Sequence, residues 1–160
     1  MREDVPSRVV VRLPNWLGDA VMALPAAAAI RAALPSVHLA VCGVPSVTPI
    51  FEEGTAASPE QILAVDKAGE AAALRGGGFG TVFLLTNSFR TAWVARQAGI
   101  PERVGYRSSG RGLMLTKAIA RPRGERHQSE YYLDLVRGFG FAAPAVVPHI
   151  EVTERTRARA

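Results

Sequence analysis

The chain has 160 residues, of which 48% are apolar and 21% charged, and this balance is typical of one globular domain that buries a core. The formal net charge is +5, which favours anionic partners such as phosphates, nucleic acid or an acidic membrane surface without choosing among them. The single cysteine, Cys42, excludes an intrachain disulfide. Because no apolar run approaches about 18 residues, the sequence predicts neither a signal peptide nor a membrane span.

The first strong pattern is an apolar run at residues 9–13 followed by several polar and conformationally special residues. The run predicts a central parallel strand that Pro14 ends, after which Gly18 allows a tight turn and Asp19 opens a helix. Asp19 therefore lies at the carboxyl end of a strand, where ligands bind in open α/β sheets. The spacing leaves two interpretations, a helix N-cap or a catalytic or ligand-binding carboxylate, and by itself it favours the cap.

Strands alternate with helices along the rest of the chain. A helix over residues 19–34 is expected to break at Pro25, and a glycine run at residues 76–78 is interpreted as a turn. Further strands are predicted at 37–43, 62–65 and 81–86, a short edge strand within 100–106, and helices at 44–52, 67–75, from 89 and at 128–139. This alternation predicts right-handed βαβ units and an α/β, Rossmann-like three-layer sandwich with a mostly parallel sheet. No glycine-rich fingerprint follows the first strand, so we expect no nicotinamide or flavin cofactor.

Two more groups of polar side chains follow predicted strands. Asn87, Ser88 and Arg90 follow the strand at 81–86 and should face the same crevice as Asp19, although Ser88 could equally serve as a helix cap. The loop at 107–112 carries Arg107 and Arg111 among small residues, which suits a phosphate, but such a loop is more often solvated surface.

His127 precedes the helix at 128–139. It could contact a sugar or phosphate, yet a structural hydrogen bond at the helix start is the favoured interpretation of this single residue. His, Cys, Asp and Glu residues show no metal-binding spacing, and no Ser/His arrangement indicates a nucleophile.

Several motifs occur together and in order between about residues 9 and 140. They are NWLGDAVM at 15–22 followed by LP at 24–25, LTNSFR at 85–90, AGIP at 98–101 with RVGYR at 103–107, and HQSEYY at 127–132. As an ordered set they closely resemble the amino-terminal half of ADP-heptose:lipopolysaccharide heptosyltransferases of glycosyltransferase family 9, those of the heptosyltransferase II type in particular.

The resemblance implies a GT-B fold of two Rossmann-like domains. The amino-terminal domain holds the lipid A–inner-core acceptor, and the carboxyl-terminal domain holds ADP-heptose. On this basis residues 8–143 are expected to be the acceptor-binding domain and residues 144–160 a linker toward a donor-binding domain that this sequence does not include. The 160 residues alone are then expected to be inactive.

The resemblance also implies roles for individual residues. Asp19 matches the family's proposed base in inverting transfer, so the catalytic interpretation now outweighs the cap. Arg107 and Arg111 suit phosphates of the inner core. The remaining residues expected to bind the acceptor are Asn15, Trp16, Gly18, Asn87, Ser88, Arg90 and His127.

No cofactor, metal or nucleic acid is expected for such an enzyme. The resemblance and the cationic surplus together predict a cytoplasmic protein that is peripheral at the inner face of the bacterial inner membrane, with that anionic surface as a partner. Two other hypotheses stay open at this point. One is a non-catalytic Rossmann-like module that binds an anionic ligand or nucleic acid through its arginine loops, and the other is a related glycosyltransferase with a different sugar donor.

Overall fold

The strands of the sheet all run parallel in the computed structural model, which describes residues 7–159. Within these residues the strands are β1 (Arg8–Arg12), β2 (His38–Gly43), β3 (Gln61–Ala64), β4 (Thr81–Leu84), β5 (Glu102–Tyr106) and β6 (Lys117–Ile119). The helices are α1 (Leu17–Met22), α2 (Leu24–Ala33), α3 (Glu70–Gly76), α4 (Phe89–Gln97), α5 (Gln128–Phe139) and α6 (Glu154–Arg159). Two 3₁₀ turns, Thr48–Glu52 and Arg111–Met114, complete the set.

The strand order is β3-β2-β1-β4-β5-β6, which is the doubly wound arrangement. β1 lies in the middle, with Val10 opposite Ala40 of β2 on one side and Val82 of β4 on the other. Val9, Val10 and Val11 are all fully buried, as the continuous apolar run predicts for a strand covered on both faces. β2 and β3 are added on one side of β1, and β4, β5 and β6 are added on its other side. The switch point of the sheet therefore lies between the neighbouring strands β1 and β4.

Helices cover both faces of the sheet. One apolar cluster joins α1, α2 and α5 to one face, and a second cluster joins α3 and α4 to the other. The predicted Rossmann-like three-layer sandwich is therefore confirmed. Among residues 7–159, no helix is both long and apolar enough to cross a membrane.

The predicted break at Pro25 is also confirmed. α1 ends at Met22, Ala23 separates the two helices, and α2 begins at Leu24 with Pro25 in its first turn. A proline is tolerated there because its missing N–H group has no intrahelical acceptor at that position.

The edge of the sheet differs from the prediction. The strand predicted as an edge, β5, has β4 on one side and β6 on the other, so it lies inside the sheet. β6 is only three residues long and begins with Lys117, and such a short segment gives no strand pattern in the sequence.

The segment predicted as a linker runs back over the domain. It has no regular structure from Phe141 to Ile150; Glu151 then pairs with Gly54 in an antiparallel bridge, and the backbone N–H of Thr153 donates to the Glu53 carboxylate. α6 follows.

Candidate functional site at the carboxyl edge of the sheet

The sheet has its switch point between the neighbouring strands β1 and β4, and doubly wound sheets form a crevice at the carboxyl edge at such a point. From β1 the chain turns into α1 on one face, and from β4 it turns into α4 on the other face. Ligands of doubly wound sheets bind at this kind of position. The predicted site residues at 15–19 and 87–90 flank it, as expected.

A buried arginine holds the loop after β1. Arg12 is 2% exposed, and its guanidinium donates to both carboxylate oxygens of Glu70, at 2.9 and 3.1 Å. It also donates to the carbonyl oxygen of Leu13 at 2.6 Å and to Oδ1 of Asn15 at 2.9 Å. The buried Arg12–Glu70 ion pair therefore fixes the loop that leads to Asp19.

Asp19 lies in the first turn of α1 and is half-buried. The helix begins at Leu17, so the N-cap position belongs to Trp16, whose side chain makes no capping hydrogen bond. The cap interpretation of Asp19 is thus wrong, because the helix starts two residues before it. Within the described residues, no hydrogen bond to the Asp19 carboxylate is present.

Gly18 and Trp16 leave space around this carboxylate. Gly18 lies inside α1 rather than in a tight turn, and a Cβ added there would meet no atom within 4 Å. Trp16 is 76% exposed at the start of the helix. A ligand can approach Asp19 across this open first turn.

α5 borders the crevice on the side of Asp19. Burial raises the pKa of the Tyr132 phenol to about 12, and the negative charge of Asp19 adds to this effect, while the hydrogen bond from Gln128 opposes it. The Gln128 amide donates to the Tyr132 oxygen at 2.8 Å. The Asp19 carboxylate thus lies near the first turns of α5.

The loop after β4 is held by hydroxyl groups and by the guanidinium of Arg111, with no carboxylate bonded to Asn87 or Ser88 among the described residues. Tyr131 donates its hydroxyl hydrogen to Oδ1 of Asn87 at 3.1 Å, and Ser108 donates to the Asn87 carbonyl at 2.6 Å. The Ser88 hydroxyl accepts from the backbone N–H of Thr91 at 3.3 Å, which makes Ser88 the N-cap of α4. The predicted cap is confirmed, and ligand contact by Ser88 stays a prediction.

Arg90 is linked to Arg12 through the carboxylate of Glu70 in α3. Its guanidinium donates to Oε1 of Glu70 and to the Lys67 carbonyl, both at 3.2 Å. Glu70 therefore bridges Arg12 and Arg90, and Arg90 keeps a third of its side chain exposed at the rim of the crevice.

The two arginines of the predicted basic loop differ. Arg111 has no exposed surface; it donates to the carbonyls of Tyr106 at 2.8 Å and Ser88 at 3.2 Å, and burial lowers its pKa to about 10. Its second terminal nitrogen has no partner among the described residues and lies 2.9 Å from where a Cβ on Gly105 would be. The prediction that Arg111 holds a phosphate is therefore corrected, because its guanidinium is enclosed by the protein. Arg107 is exposed.

His127 is the N-cap of α5. Its Nδ1 accepts from the backbone N–H of Ser129 at 3.3 Å and lies 2.8 Å from the Ser129 hydroxyl. The structural hydrogen bond favoured for this residue is confirmed. A further contact of the exposed ring with a sugar stays a prediction.

Sequence reasoning missed several residues that build the crevice. A charged residue ending an apolar strand is a sign that Arg12 has a partner, but nothing local identifies Glu70, which lies 58 positions away. Tyr131 has no local feature that predicts its role; its hydroxyl donates to Asn87, and Arg121 lies 5.8 Å above its ring. Within residues 7–159, no group of three or more His, Cys, Asp or Glu side chains could hold a metal ion.

Comparisons with known proteins agree with this architecture. Residues 70–160 match the sequence model of glycosyltransferase family 9 (heptosyltransferase). No curated protein sequence matches the chain.

Solved structures show the same fold at low sequence identity. A glycosyl transferase family 9 protein from Veillonella parvula is 23% identical with a TM-score of 0.85, and the match covers 100% of this chain and 49% of that one. ADP-heptose lps heptosyltransferase II from E. coli is 21% identical with a TM-score of 0.76, covering 95% and 49%. E. coli heptosyltransferase WaaC, solved with ADP, is 16% identical with a TM-score of 0.71, covering 87% and 49%. The chain spans about half of the length of these proteins.

Proposed function

The chain belongs to glycosyltransferase family 9, the heptosyltransferases, and from this premise we propose that residues 8–143 are the acceptor-binding domain of an inverting heptosyltransferase. In this proposal the full-length enzyme moves heptose from ADP-heptose to the inner core of lipopolysaccharide. One observation carries the proposal. The half-buried carboxylate of Asp19 lies at the switch point of the sheet with no hydrogen bond to it from the described residues, so it can accept one from an acceptor hydroxyl.

Asp19 acts as the general base in the proposed reaction. Its carboxylate takes the proton of the acceptor hydroxyl as that oxygen attacks the anomeric carbon of heptose. The bond between this carbon and the ADP oxygen breaks, and ADP leaves with the bonding electrons from the opposite face, which inverts the configuration. Proton removal of this kind contributes about 10²–10⁴-fold to the rate.

The neighbouring side chains are assigned to acceptor binding by the groups they leave available. Asn15 and Asn87 both use their amide oxygens inside the protein, on Arg12 and Tyr131 respectively, so their amide nitrogens are the donors we assign to acceptor hydroxyls. The exposed indole of Trp16 offers a flat apolar face for a sugar ring.

Phosphate recognition is assigned to Arg107 rather than Arg111. Arg107 is exposed after the end of β5, whereas the buried guanidinium of Arg111 donates hydrogen bonds to backbone carbonyls. An exposed guanidinium binds a phosphate through paired, charge-assisted hydrogen bonds. The chain's net charge of +5 is consistent with an acceptor that sits in an anionic membrane.

The donor site is assigned to a region of the full-length protein outside these 160 residues. The matched structures are about twice as long as this chain, and one of them was solved with ADP. In this arrangement residues 144–160 lead toward the donor-binding domain. We therefore expect residues 1–160 alone to bind acceptor weakly and to catalyse no transfer.

The test is release of ADP by the full-length protein. With ADP-heptose and a phosphorylated inner-core acceptor, ADP should accumulate in proportion to heptosylated product, and omitting the acceptor should abolish it. ADP-glucose serves as the control donor and should support little or no turnover. Turnover with ADP-glucose but not ADP-heptose would identify a related transferase instead, and no turnover with any nucleotide sugar would overturn the proposal.

A further inference from the structure

Charge is distributed very unevenly along the chain. Residues 71–124 contain nine Arg and Lys residues and a single acidic residue, Glu102, so their formal net charge is +8. The net charge of the whole chain is only +5. The remaining residues are therefore net acidic. The basic stretch builds β4, α4, β5, the 3₁₀ turn Arg111–Met114 and β6, which is the half of the sheet beyond the switch point.

The same half exposes three large apolar side chains along α4. Phe89 is 43% exposed and Trp93 41%, and their rings stack with centroids 6.4 Å apart. Leu113, in the 3₁₀ turn that packs beside α4, is 89% exposed. Arg96 connects the two elements, because its guanidinium contacts the sulfur of Met114 at 3.6 Å. We call Phe89, Trp93, Arg96 and Leu113 the α4 surface.

This combination of side chains needs an explanation, because an exposed leucine beside stacked aromatic rings has a cost in water. Aromatic and leucine side chains among Arg and Lys are the composition of surfaces that lie in the headgroup region of a bilayer. The single acidic residue of the stretch, Glu102, accepts a hydrogen bond from Thr81 at 2.8 Å on the opposite, amino-terminal side of the sheet. Nothing in the stretch therefore repels an anionic lipid surface.

We propose that the α4 surface docks the protein on an anionic membrane. The arginine side chains pair with lipid phosphates, and Trp93, Phe89 and Leu113 enter the boundary between headgroups and acyl chains. A nucleic acid would satisfy the basic residues but would leave Leu113 exposed, which favours the lipid. The choice of a lipid surface rests on the proposed function, because a lipid-linked acceptor must be reached from the bilayer.

The geometry places the site next to the docked face. Phe89 follows Ser88 and Asn87 directly, so the amino-terminal end of α4 forms both the rim of the crevice and the start of the α4 surface. A protein docked in this way holds the carboxyl edge of the sheet at the level of the headgroups. An acceptor anchored by its lipid would then meet Asp19 without leaving the membrane.

The experiment is flotation of the protein with phosphatidylcholine vesicles, with and without phosphatidylglycerol and without any acceptor. We expect binding only to the phosphatidylglycerol vesicles, and a decrease of about tenfold in partitioning for Leu113→Glu. Val147→Glu is the matched control, because Val147 is 85% exposed in the segment after α5 and receives the same charge. It should lower partitioning by no more than about twofold.

A second measurement reports on Trp93 directly. Residues 1–160 contain two tryptophans, so Trp16→Phe in this chain leaves Trp93 as the single tryptophan, and its emission should shift to shorter wavelength on phosphatidylglycerol vesicles. Equal losses for Leu113→Glu and Val147→Glu, or no shift of Trp93, would overturn the assignment of this surface. The protein could instead form a dimer without vesicles, and Leu113→Glu could dissociate that dimer. This result would overturn the lipid assignment and identify a second copy of the chain as the partner of the α4 surface.

These outcomes are separate from those of the transfer assay. The vesicles contain no acceptor, so their binding does not require the proposed activity. Transfer to a lipid-free acceptor should be unchanged by Leu113→Glu, which lies outside the assigned acceptor contacts.

Discussion

The loops after β1 and β4 face each other across the same crevice but are held by different chemistry. The β1 loop is fixed by a buried ionic group in which Glu70 pairs with Arg12 and Arg90. The β4 loop is fixed by hydroxyl groups and backbone carbonyls, with Arg111 donating to the carbonyl of Ser88 and no acidic partner.

This difference separates what each loop contributes. A buried ion pair is expensive to assemble and costly to break, so it fixes one backbone geometry in the loop that leads to Asp19. Hydrogen bonds between hydroxyl groups and carbonyls can be exchanged for others at lower cost, which is consistent with the acceptor contacts proposed for Asn87 and Ser88. In the proposed reaction the β1 loop positions the base, and the β4 loop is assigned to acceptor recognition.

Neutralising Glu70 should have the largest effect on stability. Glu70→Gln leaves the buried guanidinium of Arg12 without its countercharge, and we expect a loss of about 3–5 kcal/mol in the free energy of unfolding. Denaturant titration measures it. Glu60→Gln is the matched control, because the Glu60 side chain that pairs with Arg31 is 45% exposed, and its neutralisation should cost less than about 1 kcal/mol. Similar losses for the two variants would show that the β1 loop is not held by its ionic group.

Replacing Arg111 should have a smaller effect, although this side chain is buried more completely. Arg111→Met removes two hydrogen bonds to carbonyls, and it also removes a charge that has no acidic partner, so the expected loss is about 2 kcal/mol. Thermal unfolding of this variant beside Arg107→Met, at an exposed position, measures the difference. A loss as large as that of Glu70→Gln would remove the contrast between the loops.

The third prediction concerns Cys42, which lies opposite Arg12 in the pairing of β1 with β2. Burial raises the pKa of its thiol to about 12, with the Arg12 charge opposing and the Glu70 charge adding to the shift. The unfolded thiol loses its proton near pH 9 while the folded one keeps it, so stability present below pH 9 is lost as pH rises toward 12. By pH 10 the loss should be about 1.4 kcal/mol.

Denaturant titrations at pH 8 and pH 10 on the protein and on Cys42→Ala isolate this contribution. The variant should lose about 1.4 kcal/mol less between the two pH values. An identical pH dependence in both proteins would mean that Cys42 is not enclosed beside the ionic group.

The parts of the fold that depend on neighbouring residues could be predicted from the sequence. The apolar run of β1, the break at Pro25 and the caps at Ser88 and His127 follow from local rules of strand burial, proline geometry and side-chain capping. Each is decided within a few residues of the chain.

The parts that depend on contacts between residues far apart in the chain could not be predicted from the sequence. Glu70 looks like an ordinary helix residue until the fold places it under Arg12, and β6 is too short to show a period. The sequence around Arg111 has the composition of a solvent-exposed loop. Only the packing of the 3₁₀ turn beside α4 shows that the Arg111 side chain is enclosed. Spacing alone favours an N-cap at Asp19, whereas α1 begins at Leu17 after an exposed tryptophan that makes no capping hydrogen bond.

The central claim is that Asp19 is the base that activates the acceptor. A single-turnover measurement of heptose transfer by full-length Asp19→Asn tests it most directly, with Glu125→Gln as a matched change of an exposed carboxylate. We predict a fall in the transfer rate of about 10²–10⁴-fold with an acceptor Kd within about threefold of the original, and no change for Glu125→Gln. A transfer rate that Asp19→Asn leaves intact would contradict the account.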